Sequence, residues 1–198
     1  MDTYRTIACS GEAVFTEKRS KFLAFAAHAD TAEEALSFVA TKRKEYYDAR
    51  HVCWAYMLGS DGAENRSNDD GEPSGSAGKP ILGQLRAMEI TEAVVAVVRY
   101  FGGVKLGTGG LAVAYKSAAR LALEAATIEE RIIEDELFVF APFTNIDVCL
   151  RIARNHNATI KSQNYTTEGS HILFSIRQSR IQGFREALSR IYTLRLID

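Results

Sequence analysis

Apolar positions recur along this chain with two different periods, and the places where the period changes mark its elements. The apolar stretches Tyr4–Phe15 and Phe22–His28 predict a hairpin. Thr31 and Glu34 then form a capping box, and Ala32, Ala35, Leu36 and Val39 repeat at helical spacing, so a helix is predicted from there towards Tyr46. Val52–Leu58 is a continuous apolar run, too short and too rich in β-formers to be a helix. Gly59–Gly78 is polar, glycine-rich and about twenty residues long, a length that marks a loop as functional or disordered. Pro80 suits a first helical turn and predicts a short helix after it. Val94–Phe101 reads as a strand buried on both faces. Leu111, Ala114, Tyr115, Ala118, Ala122 and Ala125 then line one face of a long helix whose small residues permit close packing on a sheet.

Acidic and basic residues alternate without glycine over 128–136, and the boundary between two units is placed there, giving domains 1–132 and 136–198. In the second, Leu137–Ala141 is a strand, and Thr144 to Asp147 caps a helix with Ile146, Cys149, Leu150 and Ala153 on one face. Thr159–Tyr165 and His171–Arg177 form a hairpin around Glu168 and Gly169. Ser179 to Gln182 caps a last helix with Ile181, Phe184, Leu188 and Ile191 inward, and Thr193–Ile197 closes as a strand. The order βαββαβ is the ferredoxin-like arrangement. The fold class expected is α+β, an α/β domain followed by a ferredoxin-like one, and the second by itself says nothing of function.

Composition narrows the class. With 46% hydrophobic and 25% charged residues among 198, the chain is ordinary for a soluble globular protein. No run reaches the roughly 18 apolar residues of a membrane span, and no secretory signal pattern opens it. Cys9, Cys53 and Cys149 are odd in number and lack a CxxC, which favours reduced, packed thiols in a cytoplasmic protein over a zinc site or disulfide framework. Residues 136–198 carry eight Lys/Arg against five Asp/Glu, whereas the first 135 carry sixteen against twenty. This asymmetry is milder than the basic footprint typical of nucleic-acid binders, but it separates two units of different character.

The unusual chemistry lies in two glycine-rich segments, because nine of the fourteen glycines fall between Gly71 and Gly110. In Val94–Tyr115 (VVAVVRYFGGVKLGTGGLAVAY) a buried strand passes through a glycine loop into a helix start. Amides bared at such a start sit at the positive end of the helix and suit a phosphate or carboxylate. Arg99, Lys105 and the amides of Gly107, Thr108, Gly109 and Gly110 are therefore the candidate anion contacts, and no acid occurs from Arg99 to Lys116. The other reading is a tight structural turn. GTGGLA also satisfies a permissive dinucleotide pattern, but FGGVK separates it from its strand and no second strand ends in the required acid.

The upstream segment DDGEPSGSAGKPIL supplies Asp69, Asp70, Gly71, Glu72, Pro73, Ser74 and Lys79. Three carboxylates near a lysine suit a divalent ion or acid–base work, or else form an acidic loop that pairs with the basic glycine loop. Walker A fails here, since Pro80 follows Lys79 and Pro73 stands at the first glycine; GxSxG fails as well. His51 precedes the Cys53–Trp54 strand with no Ser/Cys–His–Asp constellation nearby in sequence, so it is a possible base or a structural histidine. Lys42, Arg43, Lys44, Tyr46 and Tyr47 mix basic and aromatic groups, as single-strand binders do and as solvated helix ends do.

DDGEPSGSAGKPIL at Asp69–Leu82 and VVRYFGGVKLGTGGL at Val97–Leu111 resemble the signature of the YigZ/IMPACT family, and Arg50, His51 and Cys53–Ala55 resemble its RHNCWAY strand. Val52 stands where that family usually has Asn, Ser76 where Thr is frequent, and Val113–Lys116 where Arg-Ala-Tyr-Gly is common. The resemblance implies an N-terminal domain like domain four of elongation factor G and a C-terminal one like its domain five, hence a partner among RNA, the ribosome or a translation-associated protein. Eukaryotic relatives regulate translation initiation through the amino-acid-starvation kinase.

The expectation is a non-enzymatic cytoplasmic binding protein, monomeric or weakly self-associating, that modulates translation or its stress regulation, with no cofactor, no metal and no catalytic residue. Asp69, Asp70, Glu72 and Lys79 would shape or gate the groove. The alternatives are a metal-assisted hydrolase of a phosphorylated small molecule, with the acidic triplet holding the ion and His51 as base, and a pure protein-interaction module.

Overall fold

A computed structural model describes residues 2–197. It divides into two compact units, Tyr4–Arg131 and, among the described residues, 2–3 with 132–197.

The first unit holds β1 (Thr3–Cys9), β2 (Gly11–Glu17), β3 (Ser20–His28), α1 (Ala32–Glu45), β4 (His51–Leu58), β5 (Glu64–Asn68), α2 (Gly78–Ala87), β6 (Ala93–Tyr100), α3 (Gly107–Ala125) and β7 (Thr127–Ile132). Five strands form an antiparallel sheet in the order β2-β3-β6-β4-β5. The central strands β6 and β4 are buried along nearly their whole length because helices cover both faces. On one face α1 presses Ala35 and Val39 onto Phe25, Val52, Trp54 and Val98. On the other, α2 and α3 pack Ile81, Leu85, Ala114, Tyr115, Ala118 and Ala122 against Phe22, Cys53, Ala55 and Val95.

Alanine is what lets α3 lie so close to the sheet. A Cβ at Gly11 of β2 would stand 2.2 Å from the Ala122 carbonyl oxygen, so that edge of the sheet fits under α3 only without a side chain.

In the second unit β8 (Glu134–Pro142), α4 (Ile146–Asn155), β9 (Thr159–Tyr165), β10 (Gly169–Arg177), α5 (Ile181–Ser189) and β11 (Arg195–Ile197) follow one another, with a 3-10 turn before each helix. The antiparallel sheet runs β11-β8-β10-β9, which is the ferredoxin-like order. Its core lies between one sheet face and the two helices: Leu137, Val139, Ala141, Ile172, Phe174 and Ile176 meet Cys149, Ala153, Phe184 and Leu188. The chain thus has the expected α+β class, with an α/β unit followed by a ferredoxin-like unit.

Several local expectations are corrected. Tyr4–Phe15 is two strands, and the hairpin joins β2 to β3 while β1 pairs with β7. The polar segment 59–78 contains β5, held on the edge of β4 by main-chain pairing that polar side chains do not advertise. The α2 helix starts at Gly78, two residues ahead of Pro80, because its free amides are capped from outside the helix. Residues 128–136, where the boundary is placed, lie almost entirely in β7 and the start of β8, and β8 contains the expected strand at Leu137–Ala141. Neither Thr144 nor Ser179 caps a helix: Thr144 Oγ1 donates to Asn145 and Ser179 Oγ to Asp2. Thr31 does cap its helix, with the Glu34 amide donating to Thr31 Oγ1 at 3.2 Å, but the Glu34 carboxylate accepts the Asp30 amide at 2.8 Å instead of closing the box on Thr31.

Candidate functional site

The glycine loop and the acidic loop meet at the end of the five-stranded sheet where β4 begins and β6 ends. There they frame an open cleft of about 410 Å³. Arg50, His51, Arg99 and Lys105 line it, with Glu72, Pro73 and Phe101, and its floor includes Gly107 and Thr108 of α3.

The acidic loop is rigidly tied. Asp69 follows β5 and accepts the amides of Gly75 at 2.8 Å, Ala77 at 2.9 Å and Gly78 at 2.8 Å, so it caps α2 from a distance. Burial pushes its carboxyl up, but these three amides and the charge of Lys79 outweigh that and hold it below the ordinary value of 3.8. Asp70, at φ +44°, accepts the Val52 amide at 2.6 Å and the Arg43 guanidinium. Its carbonyl oxygen accepts His51 Nδ1–H at 2.7 Å, which leaves Nε2 as the nitrogen without a partner among the described residues. Gly71 packs against that imidazole at φ +84°. The Pro73 carbonyl accepts the Ser76 hydroxyl at 2.6 Å, while Ser74 and Lys79 are exposed.

Glu72 turns inward. Its Oε1 accepts Arg99 Nη1 at 2.6 Å and the Tyr115 hydroxyl at 2.8 Å, and its side chain is only 4% exposed. The Cys53 thiol, on β4, donates towards Tyr115 Oη at 3.3 Å and the Asp69 carbonyl at 3.0 Å. Burial raises the thiol and the phenol well above their ordinary values, so both stay protonated and serve as hydrogen-bond donors. Arg99 thus lines the cleft with its charge balanced by Glu72. Its Nε is nevertheless buried without a hydrogen-bond partner, and its guanidinium lies between the rings of Phe22 and Phe101, at 5.6 and 5.7 Å.

The glycine loop behaves differently. Gly102 lies so close to the β2–β3 turn that a Cβ there would stand 2.0 Å from the Arg19 carbonyl carbon, and its amide donates to Ser20 Oγ at 3.1 Å. The helix begins at Gly107, at φ +72°, so the loop proper ends at Leu106 and the later glycines form the first turn. No N-cap side chain satisfies that turn, and it contains no acid. Gly107 and Thr108 face the cleft, whereas Gly109 and Gly110 open onto a neighbouring groove with Phe15, Lys18 and Val113. Lys105 is exposed at the mouth and has no carboxylate partner among the described residues.

The three carboxylates are each engaged by protein donors, and the arrangement reads as a scaffold that holds the loop rather than an open ligand set. Elsewhere, His28, Asp30 and Glu92 stand within ligating reach of one another, but the Arg131 guanidinium reaches both Glu92, at 3.7 Å, and His28, at 3.5 Å, which makes the group an ion-pair network. Arg43 entered the sequence reading only in the basic–aromatic stretch, Arg50 only in the motif resemblance and Cys53 there and as a packed thiol, while the Cys53–Tyr115 contact had no sequence signal. Tyr115 was legible only as a core position of α3.

The Impact N-terminal domain model matches residues 18–123, which spans the cleft, and the chain belongs to the IMPACT family. An IMPACT family member of Haemophilus influenzae is 32% identical over 188 residues, covering 93% of this chain and 91% of that protein. YigZ of Escherichia coli is 44% identical over 116 residues, 58% of this chain and 57% of that one. The crystal structure of an hypothetical protein superimposes with a TM-score of 0.75 at 30% identity, covering 100% of this chain and 97% of that one.

Proposed function

We propose that this protein is a cytoplasmic binding protein that engages RNA, the ribosome or a translation factor by seating an anionic group in the cleft. One observation carries the reading: the first turn of α3 presents Gly107 and Thr108 amides that no N-cap side chain among the described residues satisfies, in a cleft lined also by Arg50, His51 and Lys105, which has no carboxylate partner among the described residues. A helix start attracts negative charge, and an exposed lysine beside it adds an electrostatic contact to phosphate. Membership of the IMPACT family supports a role in translation or its stress regulation, in line with the motif resemblance. Asp69, Asp70 and Glu72 then shape the groove, and no step of catalysis is assigned to them. The protein acts as a monomer or weak homo-oligomer, and among the described residues no helix is long and apolar enough to cross a membrane.

Co-sedimentation with ribosomes and total RNA tests this. Lys105→Glu reverses a charge at an exposed position without breaking a contact, so its melting temperature should match the wild type while pelleting falls severalfold. The wild-type interaction should also weaken steeply as salt rises. Unchanged pelleting of the variant would overturn the reading.

A further inference from the structure

The ferredoxin-like unit has a second sheet face, away from α4 and α5, with an unusual composition. Strand register sets Arg195, Phe140, His171 and Asn164 side by side in one row across β11, β8, β10 and β9. Two residues along, Ile197, Phe138, Leu173 and Ser162 form the next row on the same face, while the row between, containing Val139 and Ile172, belongs to the core. Phe138 and Phe140 are half-buried, and neither is part of the cluster under the helices. The His171 ring lies 5.1 Å from Phe140 and 5.5 Å from Phe138, and the Arg195 guanidinium lies 5.7 Å from the Phe140 ring.

An antiparallel sheet face open to water ordinarily carries polar residues on its central strands. Here the two central strands present Phe138, Phe140, His171 and Leu173, and the flanking strands present Arg195, Asn164 and Ser162 beside Ile197. From this register we infer that the open sheet face of residues 134–197 binds single-stranded nucleic acid, with bases stacked on Phe140, His171 and Phe138. Arg195 and Asn164, at the ends of the aromatic row, are placed to reach base edges or phosphates. A four-stranded sheet with aromatic side chains on adjacent central strands is a known platform for unstacked bases, since every base offers a π-face.

Charge favours this occupant over a protein helix or strand. Residues 134–197 carry eight Lys/Arg against six Asp/Glu, and Arg195 sits directly on the aromatic row. The acids of this face, Glu134 and Glu136, lie at the far end of β8, where Glu134 accepts the Ser175 hydroxyl. A bound strand therefore crosses at the Arg195–Asn164 end.

The test is fluorescence anisotropy of the full chain with a labelled oligouridylate of about ten nucleotides at low salt, a length within the range that single-strand modules cover. Phe140→Leu and Phe138→Leu keep apolar bulk but remove the ring, and each should weaken binding by about tenfold or more, as loss of one stacked base does. Phe140→Tyr keeps the ring and should bind like the wild type. Arg195→Gln, at an exposed position that the fold does not need, should also weaken binding. The same series in a Lys105→Glu background reads the sheet separately from the cleft. If the leucine variants bind like the wild type while melting normally, or if the wild type does not bind the oligonucleotide, the inference is overturned and the face is left to a protein partner.

Discussion

Arg99 and Glu72 meet at 2.6 Å although 27 residues separate them, and both side chains are more than nine-tenths buried. Their pairing joins the two glycine-rich segments, because Glu72 belongs to the acidic loop and Arg99 leads into the glycine loop. Tyr115 of α3 donates to the same carboxylate oxygen. The cleft wall is thus built by a strand, a loop and a helix sharing one oxygen atom.

Replacing Glu72 should reveal what that oxygen holds. Glu72→Gln leaves the Arg99 guanidinium without a counter-charge in a buried position, and breaking such a pair costs about 3–5 kcal/mol. Urea denaturation should show a loss of that order. Inorganic phosphate should raise the melting temperature of the variant more than that of the wild type, since an anion in the cleft then supplies the missing charge. A variant as stable as the wild type would mean the pair contributes nothing.

Two glycines at the start of α3 should respond in opposite directions. Gly107 sits at φ +72°, so Gly107→Ala forces a left-handed conformation that costs about 1–2 kcal/mol. A Cβ at Gly109 meets nothing within 4 Å, and its φ is ordinary, so Gly109→Ala should be neutral or stabilise by about 0.4–1 kcal/mol. Chemical denaturation of the two variants side by side checks the contrast.

Asp69 makes acid stability a local property. Its folded carboxyl is held below the unfolded value near 3.8, so the stabilisation it provides is complete above that pH and is lost as pH falls through the lowered folded value. Asp69→Asn keeps one oxygen for the Ala77 and Gly78 amides but loses the charge and the acceptor for Gly75, so it should destabilise the protein at neutral pH by about 1.5–3 kcal/mol, the range for a hydrogen bond to a charged group. The stability difference between variant and wild type should shrink below pH 4, where the wild-type carboxyl begins to lose its charge advantage. A difference that stays constant down to pH 2 would contradict the assignment of Asp69 as the charged cap of α2.

Local signals carried much of this architecture. The Thr31 cap, the apolar run of β4 and the helical face Leu111–Tyr115–Ala118–Ala122 were legible because each depends on residues within a few positions of one another. The ferredoxin-like order was legible for the same reason, as period 2 and period 3.6 alternate cleanly after Leu137. The two glycine segments could be singled out as the site, since glycine density records where backbone must approach something closely.

What the sequence by itself determined, then, was which stretches form elements, which faces turn inward and which loops are unusual. Only the tertiary structure decided how the loops' charges are spent. Asp69 caps a helix eight and nine residues on, Glu72 neutralises Arg99, and Cys53 finds Tyr115 across 62 positions. Periodicity reports that a side chain is buried but not which partner satisfies it, because that choice depends on the strand order β2-β3-β6-β4-β5 and on where α3 lies across it. The aromatic row on the C-terminal sheet was hidden likewise: Phe140, His171 and Arg195 become neighbours only once the register of three strands is set.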